Sequence, residues 1–140
     1  MPINNNIGID LDGTIISNIT DRIIYKTGVP KYLPLLFNKG FNLHLITARS
    51  NEKQVYKIAN AIENELGIRF TSVTLTYNGK KGSYAGNLNC GVMIDNTKDY
   101  LIGCRQNGVI PIYLSRHNNK VHPDWIHCKD WYDIISYLLN

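Results

Sequence analysis

Five short apolar runs, at residues 7–11, 43–47, 73–75, 92–95 and 110–114, are separated by segments with helical periodicity. The runs are brief and β-branched, as strands buried on both faces are. Between the second and third, residues 51–66 form the clearest helix, with Val55, Ile58, Ala59, Ile62 and Leu66 on one face. Asn51 with Gln54 three residues on resembles a capping box, and Gly67 supplies a left-handed stop. Further helices are expected over 97–107, ended by Gly108, and over 130–139. Such alternation predicts an α/β fold: one Rossmann-like three-layer α/β/α domain over residues 1–140, built on a central parallel sheet. Pro111 lacks a backbone donor, which predicts that the fifth strand lies at a sheet edge.

In folds of this class ligands gather beyond the carboxyl ends of the strands. The polar residues follow that rule. Asp10 and Asp12 end the first run, and Thr47, Ala48 and Arg49 end the second. Lys80 and Lys81 follow the third, and Asp95 and Asn96 end the fourth. Four strands thus aim cation- and anion-binding groups at one crevice, a coincidence that packing alone does not explain.

The first of these ends is the most telling. Residues 7–15 read I-G-I-D-L-D-G-T-I, delivering Asp10 and Asp12 onto a glycine turn. Two carboxylates at roughly 4 Å and an effective dielectric near 20 repel by about 4 kcal/mol. A cation, or a reaction that uses the charge, is needed to justify them. A plain surface turn would not need Ile7, Ile9, Leu11 and Ile15 around it. A calcium loop of EF-hand type fails too: it needs a glycine at position 6 and a glutamate at position 12. Counted from Asp10, the glycine comes early, and Asp21 stands where the glutamate belongs.

Asp10, Asp12 and Asp95 offer hard oxygen ligands of the kind Mg²⁺ takes alongside water and substrate phosphate. A lysine, an arginine and a threonine hydroxyl are what a phosphoryl group needs around it. Two carboxylates two residues apart can divide the work: one attacks phosphorus while the other handles the proton.

Composition adds weak constraints. With 140 residues, 44% of them hydrophobic, the chain can form one well-packed core. It has no leader of signal-peptide type and no apolar run long enough to span a bilayer, so a cytoplasmic protein without a membrane partner is expected. Cys90, Cys104 and Cys128 have no C-x-x-C spacing and read as free thiols. The net charge of +4 suits an anionic partner.

The ordered set Asp10-x-Asp12-Gly13-Thr14, Thr47, Lys80/Lys81 and Asp95 resembles the four motifs of the haloacid dehalogenase superfamily of phosphatases. The resemblance runs from the first strand through the fifth. It implies that Asp10 is the nucleophile forming an aspartyl-phosphate. Asp12 would protonate the leaving oxygen and then activate water, its backbone carbonyl binding Mg²⁺. Asp95 would be a direct metal ligand, and Thr47 with Lys80 or Lys81 would hold the phosphoryl oxygens. The implied sheet order is 5-4-1-2-3. Within the superfamily, V-T-L-T-Y-N-G-K-K, V-M-I-D-N, P-I-Y-L-S-R-H-N and K-D-W-Y-D-I-I resemble the cytosolic-type 5′(3′)-deoxyribonucleotidases and their relatives. The closing helix with Trp131 and Asp133 is part of that likeness. I-T-A-R at 46–49 is instead similar to the S-G-R of polynucleotide 3′-phosphatase domains, where the arginine, here Arg49, assists at the site. The expected substrate is accordingly a small phosphorylated molecule, a nucleotide, with a nucleic-acid end as the alternative. A phosphate-binding module without turnover is a third reading.

Two departures shape the expectations. The fourth motif usually reads D-D; here it is Asp95-Asn96, with Asp99 one helical turn on to replace the missing charge behind the metal. The segment between Asp12 and Thr47 is too short for the helical cap of the deoxyribonucleotidases. Residues 18–39 are expected to hold at most one or two short helices broken by Gly28, Pro30 and Pro34. That leaves a minimal cap or none, and an open crevice that suits a larger substrate or a lid lent by another copy in a homo-oligomer. The sequence does not decide between Lys80 and Lys81, although Lys81, followed by Gly82, is marginally better placed. Arg116 and His117 lie near the expected rim; His44 is expected in the core or at an edge.

Overall fold

The computed structural model describes residues 4–77, 79–117 and 122–140. The chain runs β1 (Asn6–Ile9), β2 (Ile16–Ile19), β3 (Ile23–Tyr25), α1 (Val29–Asn38), β4 (Asn42–Thr47) and α2 (Glu52–Leu66). It continues through β5 (Phe70–Leu75), α3 (Gly82–Asn87), β6 (Val92–Asp95), α4 (Lys98–Leu101), β7 (Ile110–Leu114), β8 (Ile126–Cys128) and α5 (Trp131–Leu139). A 3₁₀ turn, Arg105–Asn107, lies between α4 and β7.

Six strands form one sheet in the order β5-β4-β1-β6-β7-β8, every neighbouring pair parallel. The α/β expectation holds. The expected five-strand order is not matched as it stood: the neighbours agree as far as β7, and β8 then extends the sheet. Pro111 therefore does not mark an edge. The N–H of Ile110 points to the β6 side, bonding Gly91 O just before that strand, and that of Ser115 points to β8, where it bonds Cys128 O. By alternation Pro111 faces the β8 side. The β8 ladder begins only opposite Ile112, one residue later, so no ladder bond is lost.

The core forms on both faces of this sheet. Ile7, Ile9, Leu43, Leu45, Val92, Ile94 and Ile112 meet Ile58, Ile62, Leu33, Leu36, Ile134 and Leu138 from the helices. A smaller cluster around Ile46, Met93, Ala85, Leu101 and Cys104 fills the rest. α2 is capped as expected, Asn51 accepting from the Gln54 N–H and Gly67 closing it at φ +68°. The expected long helix over 97–107 is broken into α4 and the 3₁₀ turn, with Gly103 at φ +91° between them.

Residues 18–39 also differ from expectation. β2 and β3 pair antiparallel in a separate two-stranded sheet, and α1 follows. Gly28 and Pro30 open α1 instead of breaking it, and Pro34 is carried inside because Val29, Leu33 and Leu36 anchor the helix in the core. α1 thus belongs to the body of the fold, leaving the hairpin as the cap-like part of this segment. His44 is buried in β4, its Nδ1 2.6 Å from Ser72 Oγ and its Nε2 3.0 Å from Asn6 Oδ1.

Candidate active site

β1 stops at Ile9 because its partners release the chain there, and Asp10 N–H makes a last bond to Ile94 O. The next residues form a tight loop: the N–H groups of Ile15 and Ile16 both bond Leu11 O, and Gly13 N–H bonds Ile16 O. Gly13 adopts φ +81°, a left-handed conformation that strains any residue with a Cβ. A Cβ there would also fall 2.1 Å from the Asn96 side-chain amide. Glycine is thus required twice over, by the turn and by its neighbour.

The loop turns Asp10 inward and Asp12 outward. Asp10 is 5% exposed. Its Oδ1 accepts from Lys81 Nζ at 2.5 Å and its Oδ2 from Thr14 Oγ1 at 3.1 Å. With its nitrogen facing these acceptors, the Asn96 amide donates to Asp10 Oδ2 at 3.1 Å and to the Asp12 carbonyl at 3.0 Å. Asp95, at the end of β6, is fully buried; its Oδ1 accepts from Thr97 N–H at 3.0 Å and its Oδ2 lies 2.7 Å from Lys81 Nζ. That second contact is one of charge, for Asp95 Oδ2 takes no well-directed hydrogen bond.

Lys81 is the hub. It precedes α3, its side chain has no solvent exposure, and Nζ spans two carboxylates with the Tyr100 ring 4.9 Å away. Burial works to lower its pKa, but Asp10 and Asp95 together hold it above the ordinary lysine value. Burial, reinforced by the charge of Asp95, pushes Asp10 up to about 7 despite Lys81 and Thr14. Burial likewise raises Asp95, against the pull of Lys81. Two buried carboxyls share one ammonium, and burial with their mutual repulsion favours a proton or a further cation at the cluster.

Asp12, by contrast, is half-exposed and gripped by Arg49: Nε donates to Oδ2 and Nη2 to Oδ1, both at 2.8 Å. Gln54 accepts from Arg49 Nη1 at 3.0 Å and steadies the guanidinium. The bidentate bond to Asp12 raises the Arg49 pKa further. Thr47 is buried at the end of β4, its hydroxyl accepting the Arg49 N–H. Asp10, Asp12, Ala48, Arg49 and Tyr100 line an open cleft of about 440 Å³ over this end of the sheet.

The fold thus brings together Asp10, Asp12, Arg49, Lys81, Asp95 and Asn96, with Thr47 and Ala48 at the end of the neighbouring strand. Lys80 and Asp99 are exposed and, among the described residues, share no hydrogen bond or ion pair with the cluster. Two members, Thr14 and Trp131, stand in the motifs read from the sequence but carry no role there. The fold gives Thr14 its contact with Asp10. It also brings the Trp131 indole, 117 positions away, to donate to Thr14 O at 2.8 Å.

The donor set suits a hard divalent cation. Among the described residues no three His, Cys, Asp or Glu side chains cluster as ligands. The resemblance to the haloacid dehalogenase motifs implies that Asp10 and Asp95 would be joined by the Asp12 backbone carbonyl, with water or phosphate completing the shell, as Mg²⁺ prefers. Asp95 Oδ2, without a well-directed hydrogen bond among the described residues, fits that need.

No protein-family model matches the sequence, and no curated protein matches it. Solved structures do. A D,D-heptose 1,7-bisphosphate phosphatase from B. bronchiseptica, complexed with magnesium and phosphate, superposes with a TM-score of 0.77 at 14% identity, covering 96% of this chain and 97% of that one. A Had-superfamily hydrolase from Ehrlichia chaffeensis gives 0.71 at 14% identity, with both chains fully covered. The chain has the fold of these proteins. A predicted phosphoglycolate phosphatase from Haemophilus somnus gives 0.70 at 15% identity, over 96% of this chain and 97% of that one. Among the described residues no helix is long and apolar enough to cross a membrane.

Proposed function

We propose that the protein is a Mg²⁺-dependent phosphomonoesterase that works through an aspartyl-phosphate on Asp10, its 140 residues acting as one catalytic domain with a nucleotide as substrate. The observation that carries this reading is the fully buried Lys81 drawn between Asp10 and Asp95 beside the Asp10–Asp12 loop. A core does not hold two carboxylates against one ammonium for stability alone, since hydrophobic replacement is often as stable.

In this reading an Asp10 carboxylate oxygen attacks phosphorus, the bond from phosphorus to the leaving oxygen breaks, and Asp12 gives that oxygen its proton. Asp12 then takes a proton from the water that attacks the phosphorus of the aspartyl-phosphate, releasing inorganic phosphate and restoring Asp10. Arg49 holds both Asp12 oxygens, so one of these bonds opens before Asp12 handles a proton. Lys81, Thr47 and the Ala48 backbone hold the phosphoryl oxygens, and Asn96 keeps Asp10 and the Asp12 carbonyl in register. Asp10, Asp95 and the Asp12 carbonyl would hold Mg²⁺, which would supply neutralisation of the phosphoryl charge.

The nucleotide assignment is supported by the nucleotidase-like segments, one of which supplies Trp131 against the Asp10 loop. A phosphate at a nucleic-acid end is the second reading, favoured by the open cleft and by a hairpin where a helical cap would stand. Hydrolysis of an aryl phosphate with Mg²⁺, lost on chelation and in Asp10→Asn, tests the activity. Comparison of deoxynucleoside monophosphates with a 3′-phosphorylated oligonucleotide then separates the substrates.

A further inference from the structure

A second open cleft, of about 400 Å³, adjoins the first. Gly13 and Asn96 line it, while Asp12, one residue before Gly13, lines the other, so the loop that positions the two aspartates is the ridge between them. Tyr113 and Leu114 at the end of β7 contribute to its lining, with the fully buried Trp131 at the start of α5.

Three cations reach this cleft from three separate elements: Lys26 after β3, Arg116 after β7 and Lys129 before α5. Among the described residues none of them makes a salt bridge. Asp130, the acid that lines the same cleft, has its carboxylate engaged in capping α5 through the Asp133 N–H. A concave polar surface with unpaired cations on several sides concentrates anions, and lysine and arginine together suit a phosphate oxygen set. The reaction at Asp10 already has Lys81 and Arg49, so these three charges are surplus to it.

We propose that this cleft holds a second phosphate of the substrate while the scissile phosphate sits at Asp10. This inference rests on the phosphomonoesterase reading and narrows it to substrates with at least two phosphates. The second phosphate has two sources, the other ester of a nucleoside bisphosphate or the next backbone phosphate of a strand.

The test compares an aryl phosphate, a nucleoside 5′-monophosphate, the corresponding 3′,5′-bisphosphate and a short oligonucleotide with a terminal phosphate. The full chain, Lys26→Ala, Arg116→Ala and their charge-reversed Glu forms are assayed in parallel. The wild-type protein is expected to prefer multiply phosphorylated substrates, and the ratio of kcat/KM for bisphosphate over monophosphate should fall about fivefold for each charge removed, further on reversal. If the strand is the source, the preference appears with the oligonucleotide and weakens steeply with salt. If the source is a free ester, the bisphosphate alone shows it. A wild-type ratio near one for both, or a preference untouched in every variant, overturns the inference while leaving the phosphatase reading intact. Absence of aryl phosphate turnover with Mg²⁺ overturns both.

Discussion

Lys81 Nζ lies 2.5 Å from Asp10 Oδ1 although the two residues are 71 positions apart in the chain, and the same nitrogen reaches Asp95 Oδ2 at 2.7 Å. No exposed alternative exists for this ammonium, since its side chain is fully enclosed. The carboxyl ends of β1 and β6 are adjacent in the sheet, and α3 begins at the residue after Lys81. The three buried ionisable groups of the site are therefore fixed by the body of the fold.

Lys81→Met removes the one ammonium that, among the described residues, contacts the two buried carboxylates. Breaking a buried pair from one side costs about 3–5 kcal/mol, and urea unfolding should register a loss of that order. Lys80→Met, a change on an exposed side chain, should shift the midpoint little. Equal and small effects for the two lysines would contradict the assignment of Lys81 as the buried hub.

The contrast between these lysines shows what sequence can and cannot say. Both follow the third apolar run in the loop N-G-K-K-G, of which Asn78 lies outside the described residues, so spacing left them nearly equivalent. Burial separates them, and burial is set by α3 and Tyr100, whose short α4 helix was expected as part of a longer one. Asp10, Asp12, Thr47, Arg49 and Asp95 were legible because strand ends announce themselves by an apolar run meeting a polar group. β8 and the β2–β3 hairpin were not, because runs of three or four residues carry too little periodicity to be told from loop. β8 is also what upset the inference from Pro111: the missing donor was real, but it faces a stretch that β8 does not reach.

Trp131→Phe keeps the aromatic bulk and deletes the N–H that bonds Thr14 O. An orphaned buried carbonyl costs about 1–3 kcal/mol. Because Thr14 also holds Asp10 Oδ2, kcat should fall more than KM rises. Steady-state kinetics on an aryl phosphate, alongside thermal melting, checks both parts. A stability loss with unchanged kcat would reduce Trp131 to a packing residue.

His44 gives the fold an acid-side dependence. Burial lowers its pKa from 6.5, so the folded state keeps the ring neutral between Asn6 and Ser72. As pH falls through the unfolded value, the unfolded chain takes up the proton first and folding loses stability; above that value the contribution is fully present. Melting temperature from pH 7.5 down to about 5.5 should decline more steeply in wild type than in His44→Asn. Parallel curves would show that His44 plays no part.

The central claim is that Asp10 carries the phosphoryl group. A rapid acid quench with a substrate labelled in its phosphate, followed by peptide mapping, reads this directly. The account predicts a hydroxylamine-labile label on the peptide containing Asp10, formed with Mg²⁺ and absent in Asp10→Asn. Label on another residue, or Mg²⁺-dependent turnover that survives in Asp10→Asn, would contradict it.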